Sequence, residues 1–311
     1  MKVTFKTNNR HGYSVKFSPY FETRFACCTS QNFGIAGQGT LYVCDVNPAG
    51  VQPLHVYDWK DALFDVTWAE NNEHVLIAAA GDGALLLYDT NNPKGPLRVY
   101  QEHSKEVNSV DWSQTRGENL IVSGSWDTTL KLWSVESPRS LTTLAGHESI
   151  VYCVVWSPRL PGILASASGD KTLRVWDRRL GKAQCVIPAH QTEVLTCDWS
   201  KYDQNYLFTG SVDCSIRGWD IRNPSRPTCE LTGHRFAVRR IKTSPFDGNR
   251  LASCSYDFTV RTWDIQQPHA MEIIEHHTEF VYGLDFNLHL PGQLADCGWD
   301  SLIHVHRPKS L

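Results

Sequence analysis

The chain has 311 residues, a net charge of -3, 41% hydrophobic residues and eleven tryptophans, which is enough apolar surface for a buried core and too little positive charge to draw it to nucleic acid or an anionic membrane. The longest apolar run, Val75 to Ala80, is too short to span a bilayer, and no cleavable leader pattern is present. Ten cysteines lie scattered without a Cys-x-x-Cys pair, the usage of reduced, packed thiols, so cytosol or nucleus is the expected compartment.

From the N-terminus, Val3 to Lys6 alternates apolar and polar residues as a lone strand. Beyond it two periodic signals run down the chain. His103, His147, His190, His234 and His277 recur every 43 or 44 residues, each followed nine residues later by Trp112, Trp156, Trp199, Thr243 or Phe286 in strand-like sequence. Tyr88, Trp133, Trp176, Trp219 and Trp263 recur every 43 to 45 residues, each preceded by a turn aspartate: Asp82, Asp127, Asp170, Asp213 and Asp257. Extending the register backward puts Asn8 and Trp59 at the histidine position, with Phe17 and Trp68 nine residues on, which makes seven units.

A period of this length is one four-stranded propeller blade. The expected fold is therefore all-β, a single seven-bladed propeller over residues 1–311, with the third strand of each unit ending at Asp45, Asp89, Ser134, Asp177, Asp220, Asp264 and His306. The seventh unit lacks an outer strand of its own. Val3 to Lys6 is expected to supply it, which removes the open sheet edges that invite aggregation. Short turns such as Asn91 to Gly95 separate the units, and helix signals are absent.

Several residues imitate an active site. His147, Ser166 or Ser168, Asp170 and Trp176 fall together within one blade, but the same set recurs around His103, His190 and His234. Four copies argue for a buried hydrogen-bond scaffold and against one catalytic triad, so no enzyme is expected. His304 and His306 share one face of a strand; with no third ligand in view they are expected to be solvated edge residues, and no metal site is expected. Gly34, Gly37 and Gly39 sit in a hairpin without a following helix, so no phosphate-binding loop and no cofactor are expected.

In propellers of the Trp-Asp repeat family, which this periodicity resembles, three positions per unit surface on the narrow face: three and five residues after the histidine position, and the one before the turn aspartate. These offsets give His11, Tyr13, Phe64, Glu106, Asn108, Trp126, Ile150, Tyr152, Glu193, Leu195, Val212, Arg239, Tyr256, Phe280, Tyr282 and Trp299, to which Asp65 is added beside Phe64. The set is rich in aromatic residues, carries Glu106 and Glu193, and has Arg239 as its one cation. Such a face suits a peptide with an apolar stripe and a basic residue, for example an amphipathic helix. It suits nucleic acid poorly.

Strings that the repeat does not impose narrow the reading. LFDVTW (Leu63 to Trp68), ENNEHVL (Glu70 to Leu76), VDWSQTRGE (Val110 to Glu118), GHESIVY (Gly146 to Tyr152), SCSYDFTVRTWD (Ser253 to Asp264) and EHHTEF (Glu275 to Phe280) resemble the receptors for the type-2 peroxisomal targeting signal, the seventh peroxins, from about Arg10 to Arg307. The resemblance implies a cytosolic import receptor that binds an N-terminal nonapeptide of matrix proteins, with Arg-Leu at one end and His/Gln-Leu at the other, and cycles to the peroxisome. It also implies a co-receptor, either the long form of the type-1 signal receptor or a fungal-type equivalent, and docking proteins at the peroxisomal membrane, without membrane insertion of the receptor itself. On that reading Glu106, Phe64, Asp65, Asn108, Trp126, Ile150, Tyr152, Glu193, Leu195 and Tyr256 face the cargo peptide, and His11, Tyr13, Arg239, Phe280, Tyr282 and Trp299 form a rim for co-receptor or cargo. The rival reading is a generic propeller scaffold in a chromatin or ubiquitin-ligase complex, which would share the periodicity and not the strings.

Overall fold

Strands such as Leu63–Trp68 and Val75–Ala80 are buried along nearly their whole length, so both of their faces must be covered. Stacking each sheet between two neighbours achieves this. The computed structural model describes residues 2–311, which form seven four-stranded antiparallel sheets. The innermost strands are His11–Phe17, Leu63–Trp68, Val107–Trp112, Val151–Trp156, Val194–Trp199, Val238–Thr243 and Val281–Phe286, in blades 1 to 7. Each packs against the innermost strand of the next blade, and the last packs against the first.

The ring is closed by the N-terminal segment, as the spare alternation foretells. Val3–Lys6 pairs with Leu302–His306 in the register Val3↔Val305, Thr4↔His304, Phe5↔Ile303 and Lys6↔Leu302. Third strands end at the expected residue in six blades. In blade 1 the strand continues past Asp45 to Asn47, because its hairpin keeps pairing through Val46↔Val51 and Asn47↔Gly50.

Between blades the core is apolar. Trp68, Trp112, Trp156 and Trp199, at the far ends of their inner strands, are at most 3% exposed, and burying one such side chain contributes on the order of 1.5–3 kcal/mol. All ten cysteines are free. Among the described residues the one helical segment is a short 3-10 turn, Asn32–Gly34, and no helix is long and apolar enough to cross a membrane.

The repeated polar sets are scaffolding. His147 Nδ1 donates to Asp170 at 2.7 Å, which leaves Nε2 to accept from Ser166 Oγ at 2.6 Å, while that hydroxyl accepts the Trp176 indole N–H at 2.8 Å. Every donor then has an acceptor with the imidazole neutral. The chains His103–Ser123–Trp133, His190–Thr209–Trp219 and His234–Ser253–Trp263 repeat it. The four imidazoles are fully buried, out of reach of any substrate. In blade 2 Trp59 takes the histidine's place and donates to Asp82 at 3.2 Å.

Blade 7 overturns one expectation. His304 and His306 are not solvated edge residues: they are 2% and 6% exposed. The strand that carries them is covered by Val3–Lys6, and folding brings His276, His277 and Asp296 beside them.

Candidate functional site

Every inner strand breaks register once, near its start. The ladder skips between Gly12 and Ser14, Leu63 and Asp65, Val107 and Ser109, Val151 and Cys153, Val194 and Thr196, Val238 and Arg240, and Val281 and Gly283. The residues left unpaired are Tyr13, Phe64, Asn108, Tyr152, Leu195, Arg239 and Tyr282. A bulge turns its extra side chain out of the sheet, and all seven line one cavity of about 440 Å³ at the mouth of the central channel. The positions five residues after the histidine are therefore bulge residues, and their convergence follows from seven copies of one backbone irregularity.

Glu106, Trp126, Tyr256 and Trp299 complete the expected part of the wall. Tyr13 and Phe64 are buried beneath it, with ring centroids 5.1 Å apart, so they form a floor, whereas Trp126 is 37% exposed at the rim. The Asn108 amide donates to the Tyr152 carbonyl at 2.6 Å, and the Tyr152 hydroxyl reaches Glu193 at 3.4 Å. Glu193, Ile150, Phe280 and His11 stand outside the cavity wall. Phe280 packs on Tyr256 and Trp299 at 4.8 and 5.2 Å. His11 donates to the Trp299 carbonyl at 2.6 Å and stacks on Phe33 at 4.0 Å, and Ile150 is held by its carbonyl, which accepts from Gly169.

Asp65 is not at the mouth. As the residue after the bulge it points the other way, into the channel, where it is 3% exposed and accepts from Ser14 at 2.6 Å, Ser109 at 3.1 Å, the Val110 amide at 3.1 Å and Arg240 at 3.1 Å. Burial alone would raise its pKa, but Arg240 and these hydrogen bonds hold the carboxyl below the usual range. Its carboxylate is occupied within the channel by these four partners.

Phe33, Gly34 and Ile35 also line the cavity, and the offsets miss them because they belong to a hairpin loop outside the repeat. Gly34 has φ +69°, and a Cβ on it would stand 2.6 Å from the Tyr13 hydroxyl, so the loop lies directly on the aromatic floor. It leaves Ile35 86% exposed. Phe236 and Phe258 add exposed rings at 60% and 38%, with Phe258 5.7 Å from Phe280. Phe236 follows the histidine position by two residues, an offset that carries no outward-facing residue in the family pattern.

The charge of the mouth is lopsided. Arg239 is 4% exposed, its guanidinium 4.8 Å over the Tyr282 ring, whereas among the described residues neither Glu106 nor Glu193 forms an ion pair. Burial pushes the phenols of Tyr13 and Tyr282 well up, and burial followed by Glu193 pushes Tyr152 up to about 12, so all three are neutral donors at physiological pH. Deeper in the channel, Lys16 lies 3.9 Å from Asp285 and Lys201 3.1 Å from Asp198, which leaves those charges paired. The mouth can take apolar side chains on its rings and a cation on the Glu106 carboxylate in its wall.

Comparison with known proteins gives two findings. The family described as WD domain, G-beta repeat matches residues 94–134, 138–177, 181–220 and 225–264, the stretch that carries the complete His-Asp-Trp sets. Over 309 residues the chain is 56% identical to the peroxisomal targeting signal 2 receptor of Mus musculus, spanning 99% of this chain and 97% of that protein. It is 48% identical over 135 residues to peroxisome biogenesis protein 7 of Arabidopsis thaliana, 42% of each chain. With the peroxisomal targeting signal 2 receptor of Saccharomyces cerevisiae it shares 37% identity over 134 residues, 43% of this chain and 36% of that one.

Proposed function

The chain belongs to the WD-repeat family of peroxisomal targeting signal 2 receptors, and from that premise we propose that its mouth of bulge residues is where the targeting peptide docks. It is an import receptor and not a generic scaffold subunit. The observation that carries the site is the convergence of seven bulge side chains on one aromatic cavity whose wall includes the Glu106 carboxylate. The peptide lies as a short amphipathic helix, its leucines on Phe33, Trp126 and Tyr152 and its arginine at Glu106, with Glu193 behind.

Ordering nine backbone residues costs on the order of 9–18 kcal/mol, whereas burying two leucines returns roughly 3–6 kcal/mol. The peptide alone binds weakly, and a co-receptor laid over its exposed side supplies the missing burial. Phe236, Phe258, Phe280 and His11 at the rim are the surface offered to that second protein. The receptor takes up cargo in the cytosol and meets docking proteins at the peroxisomal membrane. A signal peptide carrying a photoreactive group on one leucine tests the site when it is cross-linked with co-receptor present. Labels on Phe33, Ile35 or Trp126 support it, and labels at the other end of the channel, around Lys201 and Phe246, contradict it.

A further inference from the structure

We propose that blade 7 holds a divalent transition-metal ion of the Zn²⁺ class on His276, Asp296, His304 and His306, as a staple on the strand that closes the ring. Blade 7 departs from the four blades that carry complete His-Asp-Trp sets. Asp296 stands ten residues before His306, as Ser123, Ser166, Thr209 and Ser253 stand before their tryptophans, so a carboxylate replaces the hydroxyl and an imidazole replaces the indole. The partner across the hairpin changes as well. Ser123, Ser166, Thr209 and Ser253 pair with Lys131, Arg174, Arg217 and Arg261, whereas Asp296 pairs with His304. Neutral scaffolding and a cation have been exchanged for metal-ligand residue types, and His276 adds another imidazole.

The geometry is that of a site. The donor atoms of His276, Asp296 and His306 lie within 4.8 Å of one another, as do those of His276, His277 and His304. Around tetrahedral zinc, donors stand about 3.4 Å apart, so binding replaces the hydrogen bonds of His276 and His306 to Asp296 and joins the two groups through His276, which they share. Asp296 is completely buried, with His277 Nε2 at 2.8 Å, His276 Nε2 at 2.9 Å and His306 Nε2 at 2.6 Å.

Hydrogen bonding does not exhaust the cluster. His304 Nε2 is buried with no partner among the described residues, while its Nδ1 is bonded to Thr4 Oγ1 at 2.8 Å. That second contact fixes the ring as an outer partner fixes a metal-bound histidine, with Nε2 left as the free donor. His277 keeps its contact to Asp300 at 2.8 Å and stands behind Asp296. The His276 side chain is 10% exposed and gives the ion a way in. Since His304 bonds Thr4 of Val3–Lys6, a bound ion ties the closing strand to the rest of the blade.

The test uses full-length protein stripped with a chelator and titrated with Zn²⁺ alone, then with Co²⁺ alone. One equivalent should bind, Co²⁺ should give the visible bands of a tetrahedral N/O site, and Zn²⁺ should raise the melting temperature. The double variant Asp296→Ser/His306→Trp installs the Ser-Trp pair that three other blades already hold, and should lose more than about 100-fold in Zn²⁺ affinity and all of the cobalt spectrum. His304→Ala, a second variant with the tetrahedral donor removed, should lower affinity at least about tenfold. Weak binding at several sites without cobalt bands, or an affinity equal in wild type and both variants, overturns the proposal.

Discussion

The Asn108 side-chain amide donates to the Tyr152 carbonyl at 2.6 Å, joining the bulge residue of blade 3 to that of blade 4. The mouth is thereby braced between neighbouring blades, a preformed wall for the peptide proposed to dock there. Asn108→Ala removes a bond worth about 0.5–1.5 kcal/mol and should weaken peptide binding by roughly two- to tenfold, with a faster off-rate as the readout.

Rim and floor separate by their response to truncation. Trp126→Ala should weaken cargo binding at least about tenfold while leaving the thermal melt unchanged, because that ring is 37% exposed. Phe64→Ala, which opens a hole beneath Tyr13, should destabilise the fold by about 3–5 kcal/mol. A melt that collapses for Trp126→Ala would place that ring in the core.

Asp65→Ala should act on stability alone. It leaves Arg240 buried in the channel without its partner, a change that costs about 3–5 kcal/mol, and the protein that remains folded should bind peptide with unaltered affinity. Loss of affinity at full folding, measured by circular dichroism beside a peptide titration, would return Asp65 to the binding set.

The scaffold sets predict acid lability. At Asp170 burial would raise the pKa, but hydrogen bonds from His147 and Thr172 outweigh it and hold the carboxyl far below its usual range, and the same holds at Asp127, Asp213 and Asp257. A depressed folded pKa gives stability that is fully present above the unfolded value, about 3.9, and is lost as pH falls through the folded one. Urea midpoints should therefore be steady from pH 7 to 5 with respect to these groups and drop steeply below about pH 4. Asp170→Ala should cost about 1–3 kcal/mol at pH 7 and flatten that drop.

Removing residues 2–6 should lower the melting temperature and promote self-association that grows with concentration. It uncovers the strand Leu302–His306 as a bare edge, and takes Phe5 away from Tyr42, 5.6 Å distant. A melt identical to the full chain would show that closure is dispensable.

Blade number was legible because four blades repeat the buried His-Asp pair and its indole at one spacing, which sets the register for the rest, and closure because Val3 to Lys6 is an alternation left over from that count. The offsets that gather the mouth residues came from the resemblance to Trp-Asp repeats, and the structure supplies the physical reason for one of them, a bulge at that offset in all seven blades. What escaped lies off the repeat. Phe33 and Ile35 sit in a loop found in one blade, and Asp65 differs from Phe64 only in which side of a bulge it falls. His304 and His306 hid their burial because blade 7 has exchanged its Trp-Asp signature for residues that, taken singly, suit a solvated edge.

Charge complementarity at the mouth is the central claim, and a titration of signal peptide against wild type and Glu106→Lys/Glu193→Lys, with co-receptor present, tests it most directly. Loss of a charged hydrogen bond is worth about 1.5–3 kcal/mol, so affinity should fall by at least about tenfold in a variant whose melt matches wild type, and the deficit should shrink as salt is raised. An affinity unchanged by reversing both charges would contradict the account.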